Sequence, residues 1–342
     1  MRKSRFISIL VFALLLFTCQ NNRPVYLTGR TMGTGYHITI ADEPAGQRIT
    51  AALQASIDSL LRQVNNKMST YLKDSEISRF NRWQKTDPFV VSVDFVNVLR
   101  TALDIYKESG GAFDVTVAPL VRLWGFGAGA GSETVPDNRQ IADVKKHVGS
   151  DKIRIINDST IAKNDPLTEL DLSAIAKGYG VDAVAAFLSQ RGYAHFLVEI
   201  GGEVVASGLK NGRKWRVGID HPDYDAVPGN NLEAVLLLSD AAVATSGDYR
   251  NYFMVGDTVY THAIDPAAGR PVTNGVASVT VVAPNCTLAD AMATAIMVMG
   301  AEKGLKWVED RKGVESFIIV RTQTGYKTFE SSGMGSMIEI MD

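Results

Sequence analysis

The chain has 342 residues, of which 46% are hydrophobic and 21% are charged, and its formal net charge is −2. This length and apolar content allow a large buried core, in one big domain or in two. The near-neutral balance of charges gives no electrostatic reason to expect nucleic-acid binding.

The first residues are typical of an exported protein. A basic start is followed by the almost wholly apolar run Ile7–Phe17, which is shorter than the roughly 20 residues of a spanning helix. The run leads to Cys19 in a pattern that resembles a bacterial lipobox, although Thr18 stands where Gly, Ala or Ser is usual. We therefore predict a signal peptide over residues 1–18 and a tether over 19–24. The alternative is a simple cleaved signal with an incidental cysteine.

Lipidation of Cys19 would anchor the protein to a membrane, facing the periplasm, and the sequence does not say which membrane. The second cysteine, Cys286, then has no partner for an intrachain disulfide. We interpret Cys286 as a packing residue, so the fold must be held together by its core.

Residues 25–342 are predicted to form one domain of helices and strands. Two strands, 25–29 and 36–40, flank a turn that places the large apolar Met32 beside a glycine. Apolar spacing predicts a helix before Met68-Ser-Thr-Tyr71 and another over 94–109. Further helices are predicted over 141–148, 288–299 and 301–310, and further strands over 152–156, 159–163, 196–200, 204–207, 215–219, 234–238, 242–245, 253–255, 259–261, 277–282, 317–320 and 326–329. Helices combined with mostly adjacent antiparallel strands indicate an α+β fold.

The segment 111–127 is predicted to be extended and apolar, with Asp114 as its single acid. A buried carboxylate needs hydrogen-bond partners, so Asp114 either ties down a loop or contacts a ligand. Residues 125–130 formally fit the G-x-G-x-x-A pattern of dinucleotide sites. We reject that interpretation because the pattern needs a strand before it and a helix after it, and a loop follows here.

The stretch Asp171–Asp182 contains an acid, a serine, a lysine and two glycines at the start of an apolar helical run. Asp171 or Ser173 could cap that helix, whose start would suit a phosphate. Lys177 adds a cation, and Gly178 and Gly180 would let a ligand or another backbone approach. The alternative is an ordinary capped helix with glycines for packing.

Asp290 and Thr294 are four residues apart near the start of a predicted helix, so their oxygens lie on one face. A carboxylate and a hydroxyl suit a hard cation such as Mg²⁺. The alternative is that Asp290 caps the helix and Thr294 faces the core. His262 follows a strand and is either a base or a turn residue. The sequence contains no P-loop, H-E-x-x-H or G-x-S-x-G motif.

Nine of these segments together resemble the ApbE family of flavin transferases, and they run in the family order over most of the chain. The matching segments are Thr31–Thr34, Met68–Tyr71, Gly111–Asp114, Leu120–Gly127, Asp171–Gly178, Gly201–Gly202, Thr245–Gly247, His262–Pro266 and Asp290–Thr294.

The resemblance implies an ApbE-type fold related to the tunnelling fold, with FAD held between two lobes. It implies a divalent cation on Asp290 and Thr294 with a backbone carbonyl at Ala174. Some members carry a second aspartate where this chain has Ala293. The FAD contacts implied by the resemblance are Met32, Tyr71, Ala112, Phe113, Asp114, Asp171, Lys177 and Ile264.

The implied reaction is attack by a Thr or Ser hydroxyl of a target protein on the FMN-side phosphorus of FAD, with release of AMP. Mg²⁺ would neutralise the pyrophosphate, Asp290 would hold that cation, and His262 is the expected base. The acceptor in the family is often a subunit of a membrane redox pump. Two alternatives are a Mg²⁺-dependent FAD pyrophosphatase and a non-catalytic FAD-binding lipoprotein.

Overall fold

The computed structural model describes residues 24–41, 47–129, 131, 134–224, 227, 229–249, 251–256 and 258–341. The predicted signal peptide, Cys19 and all but the last residue of the predicted tether lie outside the described residues. Over the described ranges, no helix combines the length and the apolar character needed to cross a bilayer.

Helices and strands are interspersed along the described chain. The helices are α1 (Gln47–Met68), α2 (Glu76–Arg82), α3 (Val93–Glu108), α4 (Ala118–Leu123), α5 (Asn138–Lys145), α6 (Ala176–Gln190), α7 (Cys286–Met299) and α8 (Ala301–Glu309). The strands are β1 (Val25–Thr31), β2 (Thr34–Ile40), β3 (Phe89–Val90), β4 (Ile153–Asn157), β5 (Thr160–Lys163), β6 (Phe196–Ile200), β7 (Glu203–Ser207), β8 (Trp215–Asp220), β9 (Leu232–Leu238), β10 (Ala241–Gly247), β11 (Tyr252–Val255), β12 (Thr258–Thr261), β13 (Ile264–Asp265), β14 (Arg270–Pro271), β15 (Val276–Ala283), β16 (Glu315–Thr322), β17 (Gly325–Glu330) and β18 (Ile338–Ile340).

An eight-stranded sheet in the order β1-β2-β6-β7-β10-β15-β16-β17 organises the fold. Every pairing within it is antiparallel. The central strand β15 is buried along its whole length, as expected of a strand covered on both faces. The predicted α+β class is therefore confirmed.

The two faces of this sheet are covered differently. Ile318 packs into the main core with α1, α3, α6 and α7, whereas its neighbours Phe317 and Ile319 point to the opposite face. That second face is covered by the small sheet β18-β9-β8, through residues such as Trp215 and Leu236. The sheet is thus sandwiched between a helical layer and a second sheet.

A third apolar cluster joins α4 and α5 to β11 and β13. Its buried members are Leu120, Trp124, Phe126, Ile141, Phe253 and Ile264. The indole N–H of Trp124 donates to the Gly269 carbonyl at 2.9 Å, which ties α4 to the turn between β13 and β14. This cluster supports the segment that carries His262.

Most predicted elements are confirmed within a few residues, and 196–200 matches β6 without any shift. The extended interpretation of 111–127 is wrong at its centre, because α4 (Ala118–Leu123) lies there with a proline in its first turn. The predicted helix over 141–148 is observed as α5, three residues earlier at each end. The strand predicted over 36–40 begins two residues earlier, at Thr34, so Gly35 lies inside β2 and not in the turn before it.

The helix caps considered from the sequence near the site, Asp171 or Ser173 for α6 and Asp290 for α7, are wrong. The helix after Asp171 begins only at Ala176, and Ile175 makes no side-chain cap. Asp171 instead accepts hydrogen bonds from the N–H and hydroxyl of Ser173, at 2.9 and 2.5 Å. The helix that contains Asp290 begins at Cys286, and Asn285 caps it through the Leu288 N–H at 2.9 Å. Asp290 therefore does not cap its own helix.

Candidate active site

Helices α6 and α7 meet at their N-terminal ends, where backbone N–H groups of each helix donate hydrogen bonds to a carboxylate of the other. Asp290 of α7 accepts the Gly178 N–H at 2.9 Å. Asp182 of α6 accepts the N–H groups of Cys286 and Thr287, both at 2.8 Å. Free N–H groups at a helix start need such acceptors. The two helices are therefore locked to each other by reciprocal caps.

Gly178 makes this meeting possible. A Cβ atom built at residue 178 would overlap the backbone carbonyl of Cys286. At Gly180 the neighbour is different, because a Cβ atom there would lie 2.9 Å from the terminal methyl of Met32. The two glycines thus admit a helix backbone and a flexible side chain, respectively.

A cation lies between two buried carboxylates at this junction. Lys177 donates a hydrogen bond to Glu203 Oε1, and the Asp290 carboxylate also attracts its charge. Burial lowers the pKa of Lys177, but Glu203 and Asp290 together raise it above its usual value. The Lys177 ammonium is therefore charged at neutral pH.

Burial raises the pKa of both carboxylates, Glu203 and Asp290, whereas it lowers that of Lys177. Burial raises the pKa of Glu203 to about 7, against the effect of Lys177 and with a further upward contribution from Asp290. Burial also raises the pKa of Asp290, although Lys177 and the Gly178 N–H oppose that shift. Burial disfavours the charged form of a lone carboxylate, so a second cation near Asp290 would stabilise its negative charge.

The Gly201-Gly202 segment positions Glu203. Gly201 and Gly202 form the two-residue turn between β6 and β7, with φ values of 61° and 104°. A hairpin turn with both central residues at positive φ favours glycine. Glu203 is therefore the first residue of β7, paired with Ile200 on the face that carries α6 and α7.

Oxygen atoms near the start of α7 fit a hard cation. Thr294 lies one helical turn after Asp290, and its hydroxyl is 3.2 Å from that of Ser246 on β10. Gly178 lies in the first turn of α6, where its N–H has no partner within the helix, and it donates to Asp290. The Ala174 carbonyl precedes the helix, and a carboxylate, hydroxyls and a backbone carbonyl are ligands that Mg²⁺ accepts.

Over the described ranges, no three or more His, Cys, Asp or Glu side chains converge on a point that could hold a metal. A cation at this junction would therefore rest on Asp290 and neutral oxygens. Ala293 is buried in the main core.

His262 has a defined tautomer. Its Nδ1 lies 3.1 Å from the Asn251 carbonyl, which can only accept a hydrogen bond. The proton of the neutral ring is therefore on Nδ1, and Nε2 carries a free lone pair. The side chain is open to solvent, but protein atoms crowd it on other sides, and this desolvation lowers the pKa of His262, as does the charge of Lys177.

The predicted flavin contacts lie in several parts of the fold. Met32, at φ 49° in the β1–β2 turn, touches α6 at Gly180. Tyr71 is 71% exposed, and the neighbouring Thr70 lines a cleft of about 170 Å³ together with Asp171. The remaining lining residues are Ser78, Asn81, Arg82, Ala118, Val121, Arg122, Gly127, Ala128 and Glu169.

The segment with Ala112, Phe113 and Asp114 lies behind Asp171, whose N–H donates to the Val115 carbonyl at 2.7 Å. Phe113 is buried in the main core, Ala112 is half-buried, and Ile264 is buried in the third apolar cluster.

Asp114 ties down a loop, as one of the two sequence interpretations had it. Its carboxylate accepts hydrogen bonds from Thr116 and Ser150, including both hydroxyls at 2.6 and 2.7 Å. Burial raises the pKa of Asp114, and these hydrogen bonds oppose the shift. A direct flavin contact by this carboxylate remains a prediction.

Sequence reasoning did not identify Glu203 or Asp182 as parts of this junction, whereas Ser246 belongs to the segment Thr245–Gly247 that carries the family resemblance. Glu203 could have been found, because it is an acid that directly follows a Gly-Gly turn at the start of an apolar strand. Asp182 is the last residue of the stretch 171–182. No local sequence pattern marks it as part of the junction, because its hydrogen-bond partners lie more than a hundred residues away along the chain.

Comparison with known proteins gives one consistent family. The family model described as "ApbE family" matches residues 32–318. A relative from Vibrio cholerae serotype O1, named FAD:protein FMN transferase, is 42% identical and covers 93% of this chain and 94% of its own length. A relative of the same name from Escherichia coli K12 is 35% identical over 91% of this chain and 88% of its own length.

Solved structures agree with this result. The flavin transferase ApbE from Vibrio cholerae superposes with a TM-score of 0.82 at 40% identity, covering 92% of this chain and 99% of the other. The apo flavinyl transferase ApbE from Pseudomonas stutzeri gives a TM-score of 0.82 at 33% identity, with coverage of 92% and 96%.

Proposed function

The chain belongs to the ApbE family, and we propose that it transfers the FMN part of FAD to a Thr or Ser hydroxyl of an acceptor flavoprotein. The observation that carries the proposal is the junction of α6 and α7. It combines the charged Lys177 with oxygen ligands for a hard cation, Asp290 and Thr294, beside the helix start. Such a site suits a pyrophosphate, whose negative charge must be neutralised before a nucleophile can attack.

The reaction needs one bond made and one broken. The acceptor oxygen attacks the FMN-side phosphorus, the bond from that phosphorus to the bridging oxygen breaks, and AMP leaves with that oxygen. A bound Mg²⁺, held by Asp290, Thr294 and the Ala174 carbonyl, would supply charge neutralisation. Lys177 orients the anionic phosphates by donating hydrogen bonds from its ammonium group.

His262 takes the proton of the acceptor hydroxyl in this proposal. Its Nδ1 is committed to the Asn251 carbonyl, so the lone pair on Nε2 is available as the base. The lowered pKa keeps the ring neutral at physiological pH. The same open ring could also activate water, which would give free FMN and AMP in place of a flavinylated acceptor.

The decisive experiment is incubation of the protein with FAD, Mg²⁺ and a candidate acceptor, followed by intact-mass analysis and detection of AMP. A mass gain equal to FMN on the acceptor, with AMP released, supports the transferase. Free FMN with AMP and an unmodified acceptor would support the pyrophosphatase. FAD binding without AMP release would contradict both.

We propose further that the protein works at a membrane surface in the periplasm. The support is the sequence before residue 24, with its short apolar run and Cys19. An exported, lipid-anchored transferase would meet acceptors that face the same compartment, and a subunit of a membrane redox pump is the expected kind.

A further inference from the structure

We propose that Glu203 is a positioning residue that holds the Lys177 ammonium toward the FAD pyrophosphate and away from Asp290. The inference rests on the proposed function, because it concerns how the same site receives FAD. Glu203 makes no contact with the reacting atoms in this proposal and acts only through Lys177.

The burial of Glu203 is the first argument. The residue is 1% exposed, and its Oε2 is buried without a hydrogen-bond partner. Burying a carboxylate is costly unless it is paired and fully hydrogen-bonded. A carboxylate that served stability alone would be expected to satisfy both oxygens. Glu203 instead makes its ion pair with Lys177 through one oxygen and leaves the other unsatisfied.

The asymmetry of the ion pair is the second argument. The Lys177 side chain is 32% exposed, whereas that of Glu203 is almost fully buried. An ammonium has three N–H donors, and Glu203 Oε1 accepts one of them from the buried side. The open side of Lys177 can then donate to an anionic ligand.

The nearby Asp290 gives the third argument. The carboxylates of Glu203 and Asp290 both attract the Lys177 ammonium. A lysine side chain is flexible enough to move between them. Were Lys177 to pair with Asp290, it would compete with a cation for the carboxylate that we assign to metal binding. Glu203 prevents this by fixing the ammonium on its own side.

The test is a double-mutant cycle with Glu203→Gln, Lys177→Gln and the double variant. The matched control is Glu199→Gln, because Glu199 lies on the other strand of the same hairpin but pairs with Val204, whose side chain faces the opposite side of the sheet. A glutamine at residue 199 keeps the oxygen that accepts the Gly202 N–H at 2.7 Å, so the turn before Glu203 is retained. FAD affinity is measured by equilibrium titration without acceptor, with and without Mg²⁺, and the fold is monitored by thermal unfolding.

Glu203→Gln is expected to weaken FAD binding by about tenfold, the usual effect of losing a charged hydrogen bond. It should also raise the Mg²⁺ concentration needed for half-maximal turnover. The double variant should bind FAD no more weakly than Lys177→Gln, since coupled residues are not additive. Glu199→Gln should leave both quantities within about twofold of the parent.

Unchanged FAD affinity and Mg²⁺ requirement in a folded Glu203→Gln variant would overturn the proposal, as would additive effects in the double variant. If Glu203→Gln does not fold, Glu203→Asp replaces it, because the shorter side chain keeps the charge but withdraws it from Lys177. FAD affinity equal to the parent in Glu203→Asp would then overturn it. Failure of the proposed function would give a different result from failure of this proposal, because the acceptor would then gain no FMN mass even with the parent protein.

Discussion

The Gly178 N–H donates to Asp290 Oδ2 at 2.9 Å, across 112 residues of sequence. The start of α6 is thus capped by a carboxylate from α7, while Asp182 of α6 caps α7 in return. Asp290 therefore holds two helices together and at the same time presents a carboxylate to the proposed cation site. Fold and chemistry depend on the same residue, and suitable substitutions can separate them.

Asp290→Asn should abolish Mg²⁺-dependent FMN transfer with little loss of stability, since an amide oxygen can still accept the Gly178 N–H. Asp290→Ala should also abolish transfer, and it should destabilise the protein by about 1–3 kcal/mol by leaving that buried N–H unpaired. Urea unfolding and intact-mass assays measure the two effects. If Asp290→Asn transferred FMN at the parent rate, Asp290 would be a structural cap and the cation would lie elsewhere.

Gly178→Ala should destabilise the protein far more than Gly180→Ala. The added methyl group at residue 178 meets the rigid carbonyl of Cys286, whereas at residue 180 it meets the movable end of Met32. Overpacking against backbone costs about 1–3 kcal/mol or more, and a flexible methionine can adapt. Urea midpoints for the pair measure the difference. Equal midpoints would mean that α6 and α7 can separate without cost.

The sequence predicted elements whose signal is local and missed those whose signal is tertiary. The strand 196–200 was predicted without error because a short apolar run that ends at a Gly-Gly turn is a local signal for a strand. The short helix α4 was missed because its six residues are too few to show a helical period. Asp171 was predicted to cap α6 because it is nearby, but the observed cap comes from Asp290, which no local pattern reveals. Glu203 does have a local signal, as an acid directly after the Gly201–Gly202 turn, but only the folded chain shows that it meets Lys177.

Tyr71→Ala should weaken FAD binding by about 1–3 kcal/mol, the usual loss for an aromatic contact in a binding site. The free energy of unfolding of the protein should not change, because the Tyr71 side chain is 71% exposed. The control is Tyr26→Ala, which removes a tyrosine that is 63% exposed on β1. FAD titration and thermal unfolding distinguish the two variants. Equal FAD affinity in both would remove Tyr71 from the site.

Cys19→Ala should release the protein from the membrane fraction, because the acyl chains would have no attachment point. Fractionation followed by immunoblotting measures the distribution, and Cys286→Ala is the matched control, since Cys286 is buried and free in the core. A Cys19→Ala protein that stays as membrane-bound as the parent would show that the lipobox interpretation is wrong.

If His262 is the base, FMN transfer should be independent of pH in the neutral range and should fall at acidic pH, below the ordinary histidine pKa of 6.5. Desolvation by the protein atoms around the ring, with a smaller contribution from Lys177, holds the pKa of His262 below its ordinary value of 6.5. The folded protein therefore keeps the ring neutral to a lower pH than an unfolded chain would. Below the folded pKa, Nε2 becomes protonated and cannot accept the hydroxyl proton. The pH profile of kcat measures this at saturating FAD.

The matched variant is His262→Asn, which cannot act as a base at any pH. It should transfer FMN slowly and without the acidic inflection, while its FAD affinity stays near that of the parent. An exposed histidine of another segment, His37, serves as the control, since it lies on β2 and pairs with Glu199. His37→Asn should retain both the parent rate and the inflection. If His262→Asn kept the same inflection, another group would be the base, and His262 would serve only to hold the segment at Asn251.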